Sequence, residues 1–354
     1  MNFDPLFEPF QYKNLTLKNR FVMAPMTRAF ATDGIPNQQI ADYYSRRAAG
    51  EVGLILTEGT VIDRPASKNV KDIPNFYGDE ALNGWKKVVQ DVHAQNGVIA
   101  PQIWHVGNTR AGEWLPDAPL ESPDTMSIKD IEDTIAAYAK AAKSAKDMGF
   151  DALEIHGAHG YLIDQFFWQQ TNNRTDEYGG KTIKERSKFA IDVIKAMREA
   201  VGPDFVILLR LSQWKQQDYT AKLASTPKEF EDWILPLAEA GVDIFHGSQR
   251  RYWEPEFEGS DLNFAGWLKK VTGLPTITVG SVGLSGEFTK AFTEGAGAEK
   301  ADMSELLRRY ERGDFDLVAI GRALLQDPEW VKKVKEKRFE EQHDFTASSL
   351  KKLY

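Results

Sequence analysis

Eight short apolar runs, each followed by a stretch of helical periodicity, restrict the folds open to this chain more than any other feature. They fall at residues 21–25, 53–57, 98–104, 152–155, 206–211, 243–245, 276–279 and 316–320. Most are continuously apolar rather than alternating, as strands buried on both faces of a parallel sheet are. Between them, Leu82, Trp85, Val88, Val89 and Val92 share one helical face behind Asp79, which is expected to cap that helix before it stops near Gly97. Ile131, Ile135, Tyr138 and Ala142 repeat the pattern up to Gly149. Phe189, Val193, Ile194 and Met197 mark a third helix, and Thr226-Pro-Lys-Glu opens a fourth with its proline just inside. This alternation predicts an α/β fold, a single (β/α)8 TIM barrel over residues 1–354, with a doubly wound open sheet as the alternative. Residues 108–126 and 248–262 are too long and irregular for plain connections. Both follow strand ends on the C-terminal face, as lids or substrate walls or as packed surface insertions.

A chain of 354 residues with 42% hydrophobic content can bury a large core. Its net charge of −8 lacks the basic excess of a nucleic-acid binder, so no nucleic-acid partner is expected. The complete absence of cysteine excludes disulfides, iron–sulfur clusters, thiolate zinc sites and cysteine nucleophiles. Met1-Asn-Phe-Asp-Pro-Leu has no signal-peptide pattern, and no apolar run approaches about 18 residues. A cytoplasmic enzyme without a membrane partner is the expectation.

The fourth run leads into His156-Gly-Ala-His159-Gly-Tyr161, two imidazoles and a phenol where a strand is expected to open into a loop. Such a trio can hold an oxyanion and deliver a proton. Two histidines three apart also suit a metal, but glycines surround these and no carboxylate stands at a matching ligand position, so no metal is expected. Asp164 reads as a cap for the following helix. The histidines could also serve as plain structural donors.

Other strand ends carry polar groups or glycine: Pro25-Met26-Thr27, Thr57-Glu58-Gly59, and Gln102 with Trp104 and His105. Arg210 lies inside an apolar run, where its charge needs an accepting ligand or a buried salt bridge. Gly280-Ser281 and Gly321-Arg322 follow the last two runs, where barrels bind phosphate with backbone N–H groups, and Arg322 adds a charged fork. The layout is a phosphate at one end, Arg210 and Gln102 in the middle, and the imidazoles and phenol at the other. An isoalloxazine ring fits the middle: Gln102 can donate and accept along its pyrimidine edge, and Arg210 can stabilise charge at N1 and C2=O.

Five stretches carry a resemblance: Asn19-Arg20-Phe-Val-Met-Ala-Pro-Met-Thr27-Arg, Tyr43-Tyr-Ser-Arg-Arg-Ala48, Gly53-Leu-Ile-Leu-Thr-Glu-Gly59, His156-Gly-Ala-His-Gly-Tyr-Leu continuing to Gly180, and Gly321-Arg322-Ala-Leu-Leu-Gln-Asp-Pro328. With these the chain resembles the old yellow enzyme family of FMN-dependent ene-reductases. The resemblance implies tightly bound, non-covalent FMN, NADPH or NADH as reductant, and an electron-poor alkene (enone, maleimide or nitroalkene) as substrate. Hydride would come from FMN N5 and the proton from Tyr161, with His156 and His159 binding the substrate oxygen. Pro25, Met26 and Thr27 would line the flavin, Thr27 at its C4 carbonyl. Gly59 would approach the ring, Gln102 its pyrimidine edge and Arg210 its N1/C2=O side. Gly280, Ser281, Gly321 and Arg322 match the phosphate cradle, and Trp104 the substrate pocket.

Thr27 stands where one branch of the family has cysteine. The branch that reduces dienoyl thioesters is excluded by length and by the missing cysteines. Residues 248–262 depart from the better-known members, which bears on substrate choice. A flavin dehydrogenase or demethylase running in the oxidative direction is the alternative enzyme, and a non-catalytic flavoprotein the alternative class. NADH versus NADPH preference is not legible, and a homo-oligomer is allowed without being required.

Overall fold

Eight parallel strands close on themselves in the computed structural model, which describes residues 2–286 and 294–354. They are β3 (Phe21–Met23), β4 (Leu54–Val61), β5 (Ile99–Trp104), β6 (Ala152–His159), β7 (Val206–Lys215), β8 (Ile244–Ser248), β9 (Thr276–Val279) and β10 (Leu317–Ile320). Each neighbours the next in chain order, and β10 pairs with both β9 and β3. That closure excludes the open sheet. Every run expected to be a strand is in the barrel.

An N-terminal hairpin, β1 (Phe10–Tyr12) and β2 (Leu15–Leu17), was not foreseen. Its Phe10, Leu15 and Leu17 join Val22, Leu54, Leu56, Ala100, Leu208, Ile244 and Leu317 in one buried cluster. These barrel residues come from the early parts of their strands, so the hairpin plugs the N-terminal end. The barrel is a packed core, and only the opposite end can admit a ligand.

Two boundary differences matter for the site. β6 extends to His159, so both histidines belong to the strand rather than to a loop after it. β3 stops at Met23, leaving Pro25, Met26 and Thr27 as loop. The pairing register shifts between Leu56 and Gly59 and again between Gly157 and His159. Such bulges re-aim side chains beside active sites.

The four expected helices form as Asp79–Ala94, Ile128–Asp147, Lys188–Val201 and Pro227–Ala240. Thr226 caps the last, in a reciprocal box with Glu229. Asp79 does not cap its helix. It is the first helical residue, behind a Gly78 cap with no side-chain bond, and its carboxylate meets the positive end of the helix dipole instead. No helix among the described residues is long and apolar enough to cross a membrane.

Each long segment is anchored to the barrel or its helices at particular residues, although none of residues 110–120 is buried. Glu121 binds His105 at 2.6 Å and also pairs with Arg64, tying residues 108–126 to the end of β5. In 248–262, Phe257 packs edge-on against Trp267 (5.0 Å between centroids) and Phe230 (5.7 Å). Phe257 and Tyr252 therefore anchor this segment in the helical layer rather than walling the barrel mouth.

Candidate active site

Four rings from two neighbouring strands and the turn after β6 form one cluster at the open end. Trp104, the last residue of β5, lies nearly parallel to His156, 16° between planes and 5.7 Å between centroids. Tyr161 stands edge-on to both, at 4.7 Å and 4.9 Å, and His159 stands edge-on to His156 at 5.2 Å. His159 ends the strand with φ 64°, a left-handed conformation that a histidine adopts at some cost. That turn brings Tyr161, three residues beyond the register shift, back over Trp104 and His156.

Hydrogen bonds fix the rings. The N–H of Ala158 donates to His156 Nδ1 at 3.3 Å, which leaves Nε2 as the proton-bearing nitrogen. His159 Nε2 lies 2.8 Å from Ser248 Oγ, and its ring stacks on Trp214 at 4.5 Å. Burial, reinforced by the positive charge of Arg210, holds both imidazoles well below the usual histidine range. They are neutral N–H donors at neutral pH. Burial pushes the Tyr161 phenol up to about 12, against the pull of Gln216, whose Nε2 donates to the phenol oxygen at 2.7 Å. Tyr161 is a protonated reservoir.

Below these rings lies a charged layer set by strand register, which pairs Gln102 with Glu154, His156 with Arg210 and Arg210 with His246. Glu154 accepts from Gln102 Nε2 at 2.8 Å through one oxygen and contacts His246 Nδ1 at 2.6 Å through the other. One amide N–H of Gln102 is thus committed to Glu154, which orients the side chain and narrows its expected freedom along a ring edge. Buried Arg210 Nε has no partner among the described residues, nor has His246 Nε2. Burial lowers the guanidinium pKa, and Glu154 is the main charge supporting its protonated form.

Around the rest of the mouth, Gly59 lies so close to Trp104 that a Cβ there would meet the indole at 2.3 Å. Glycine is required for the indole to lie against β4. Gly280 (φ 136°) is equally constrained, since a Cβ would meet the Gln249 carbonyl at 2.5 Å, while Ser281 is left-handed at φ 55°. Among the described residues nothing accepts the backbone N–H of Gly280, Ser281 or Gly321. Arg322 donates to Gly286 O at 2.7 Å, and burial lowers its pKa to about 10, so a neighbouring anion would be stabilising. Pro25 is buried, Met26 half-buried and Thr27 exposed. Met26 lies beside Gly321, whose added Cβ would come 3.4 Å from its sulfur.

Glu58, noted only as part of a polar strand end, anchors the loop that carries Thr27. One carboxylate oxygen accepts the N–H of Arg28 (2.8 Å) and Ala29 (2.9 Å), and the other is buried without a partner among the described residues. Burial outweighs those two bonds and pushes the carboxyl from 4.5 up to about 7. A carboxyl raised on folding contributes stability below its unfolded pKa that disappears as pH rises through the folded value. The stability of Glu58→Gln relative to wild type should therefore climb between pH 4.5 and 7, by on the order of 3 kcal/mol, in urea unfolding at a series of pH values. A flat difference would contradict a buried, raised Glu58.

Asp164 is not a simple cap. One of its oxygens accepts the Gly160 N–H at 2.7 Å, and the other binds Lys215 Nζ at 2.8 Å, both side chains being fully buried. The pair locks the turn between His159 and Tyr161 to the end of β7. Among the described residues no group of three or more metal-ligating side chains is placed to hold an ion.

The sequence profile of the NADH:flavin oxidoreductase / NADH oxidase family matches residues 5–341. The chain belongs to this family. Membership makes it a flavin-dependent, NAD(P)H-using oxidoreductase, in agreement with the old yellow enzyme resemblance. It is 32% identical over 365 residues to 12-oxophytodienoate reductase 7 of Oryza sativa subsp. japonica, covering 93% of this chain and 87% of that protein. It is 36% identical over 358 residues to an NADH oxidase of Thermoanaerobacter brockii, covering 95% of this chain but 52% of that protein, so it spans about half the relative's length. Morphinone reductase in complex with tetrahydroNAD superposes with a TM-score of 0.76 at 26% identity, covering 94% of this chain and 90% of the other.

The residues present fit the family's flavin. A buried guanidinium nitrogen without a partner among the described residues suits the electron-rich edge of the ring. The N–H groups after β9 and β10 that no described residue accepts, beside a buried arginine, suit a phosphate.

Proposed function

We propose that this chain is an ene-reductase: one FMN-binding barrel over its whole length that uses NADPH or NADH to reduce electron-poor alkenes such as enones, maleimides and nitroalkenes. When bound, FMN supplies the hydride chemistry that links nicotinamide to alkene. Gly280, Ser281, Gly321 and Arg322 would hold its phosphate. Pro25, Met26, Thr27, Gly59, Gln102 and Arg210 would hold its ring system, and Trp104 would wall the substrate pocket.

His156 and His159 bind the carbonyl or nitro oxygen of the alkene. Both are neutral: His156 offers its Nε2–H, and His159 offers Nδ1–H when its Nε2 accepts from Ser248 Oγ, neither with a charge that substrate binding would have to desolvate. Donors fixed before the substrate arrives stabilise negative charge as it develops on that oxygen, with about 3 kcal/mol lost per donor removed in comparable sites. Tyr161 delivers the proton to the α-carbon.

The observation that carries this reading is the protonated phenol packed edge-on to His156. It also favours the reductive direction over dehydrogenation or demethylation. A phenol pushed up to about 12 is an acid at neutral pH, whereas the oxidative direction needs its conjugate base. Anaerobic incubation of the FMN-loaded chain with NADPH and cyclohexenone is expected to yield one saturated ketone per nicotinamide oxidised. Nicotinamide oxidation that requires dioxygen and leaves enones, maleimides and nitroalkenes untouched would overturn the proposal.

A further inference from the structure

We propose that Gln216 is a catalytic partner of Tyr161: its amide N–H occupies the phenol oxygen, directs the phenol proton toward the substrate and holds the phenolate left after transfer. This rests on Tyr161 being the proton donor. Gln216 Nε2 donates to the Tyr161 oxygen at 2.7 Å. A phenol has one proton to give and two lone pairs to receive. With the amide engaged as donor, the phenol proton is left for another acceptor. In the transfer, the O–H bond of Tyr161 breaks and its electron pair stays on oxygen. The α-carbon uses its own pair to form the new C–H bond, and solvent later returns a proton to the phenolate.

A phenolate here needs a donor. Its surroundings are the edges and faces of Trp104 and His156, and His156 is neutral. A buried anion without a hydrogen bond is costly. Arg210 helps only through its field, whereas Gln216 touches the oxygen itself. The donor is also held in place beforehand. Before it in the chain, Lys215 is fixed by the ion pair to Asp164, and the Lys215 and Asp218 backbones hydrogen-bond to one another at 3.0 Å and 3.2 Å. The Gln216 N–H reaches His159 O at 3.4 Å, and Gln217 Nε2 donates to Thr109 Oγ1 at 3.0 Å. A donor fixed on both sides does not reorganise when charge appears. An amide also keeps its N–H at any pH, unlike lysine or histidine.

The test compares wild type, Gln216→Leu, Gln216→Glu and Tyr161→Phe as holoenzymes. Tyrosine labelled with carbon-13 at Cζ reports the hydrogen bond without turnover, and the Tyr161 resonance is identified by its loss in Tyr161→Phe. Gln216 is exposed on its outer side, so neither substitution burdens the fold. Expected are a displaced Tyr161 resonance in Q216L and ionisation at higher pH in both variants, furthest in Q216E, where a like charge faces the phenolate. Alkene reduction by Q216L should slow roughly tenfold or more, with reduction by nicotinamide unchanged. An unmoved resonance and titration in both variants would overturn the proposal. So would a Q216L defect that persists undiminished in the Tyr161→Phe background. If Tyr161→Phe itself reduces alkenes at the wild-type rate, the proton-donor reading fails and Gln216 loses its role, while the resonance still reports whether the bond exists.

Discussion

Replacing Tyr161 with phenylalanine is expected to slow alkene reduction by roughly 10²- to 10⁴-fold and to leave oxidation of nicotinamide close to wild type. The substitution keeps the ring that packs edge-on to Trp104 and His156 and removes only the hydroxyl. Stability should therefore change little. Neither histidine can take over the acid's task. Burial and Arg210 hold both imidazoles neutral, so a proton given by either would leave an imidazolate, a far stronger base than the phenolate. Rapid-mixing measurements of the two half-reactions separate the outcomes. Equal loss in both would show that Tyr161 shapes the site rather than supplying the proton.

Asp164→Ala is expected to destabilise the chain by about 3–5 kcal/mol, because it strands a buried ammonium. Lys215 and Asp164 are both fully buried and 2.8 Å apart. Burial lowers the lysine pKa even with the aspartate present, and removing that partner lowers it further. An ammonium whose pKa falls on folding makes the unfolded chain bind more protons, so stability rises with pH across that window. The Asp164→Ala variant should accordingly regain part of its loss as pH climbs toward the ordinary lysine value. Lys215→Met in the same background should recover much of it at neutral pH, since replacing both members of a buried pair by apolar groups is often close to neutral. Urea denaturation of the two single variants and the double variant gives all three values. Full additivity of the single losses would contradict a direct pair.

The barrel was legible because strands covered on both faces read as apolar runs, and most of the eight did. The hairpin was not. Phe10-Gln-Tyr and Leu15-Thr-Leu are too short to show alternation, and their burial depends on the barrel floor above them. The strand ends of β4, β6 and β7 were missed where register shifts let polar residues continue a strand. Within the site, a charge inside an apolar run drew attention to Arg210, which is buried. The same signal stood at Glu154 and His246 and went unused. What sequence could not supply was partnership. Gln102 with Glu154, His159 with Ser248, Tyr161 with Gln216 and Asp164 with Lys215 are joined by pairing of distant strands and by turns, and no local pattern encodes them.

An equilibrium titration of the flavin-free chain with FMN, followed by the visible absorbance and fluorescence of the flavin, decides whether the cofactor lies across the barrel mouth. Saturation at one FMN per chain is expected in wild type, with markedly weaker binding after Arg210→Met and after Gly280→Val, which strike the proposed ring and phosphate sites. A chain that stays colourless in excess FMN, or that binds it equally well with Arg210 and Gly280 replaced, would contradict the placement on which every proposed role depends.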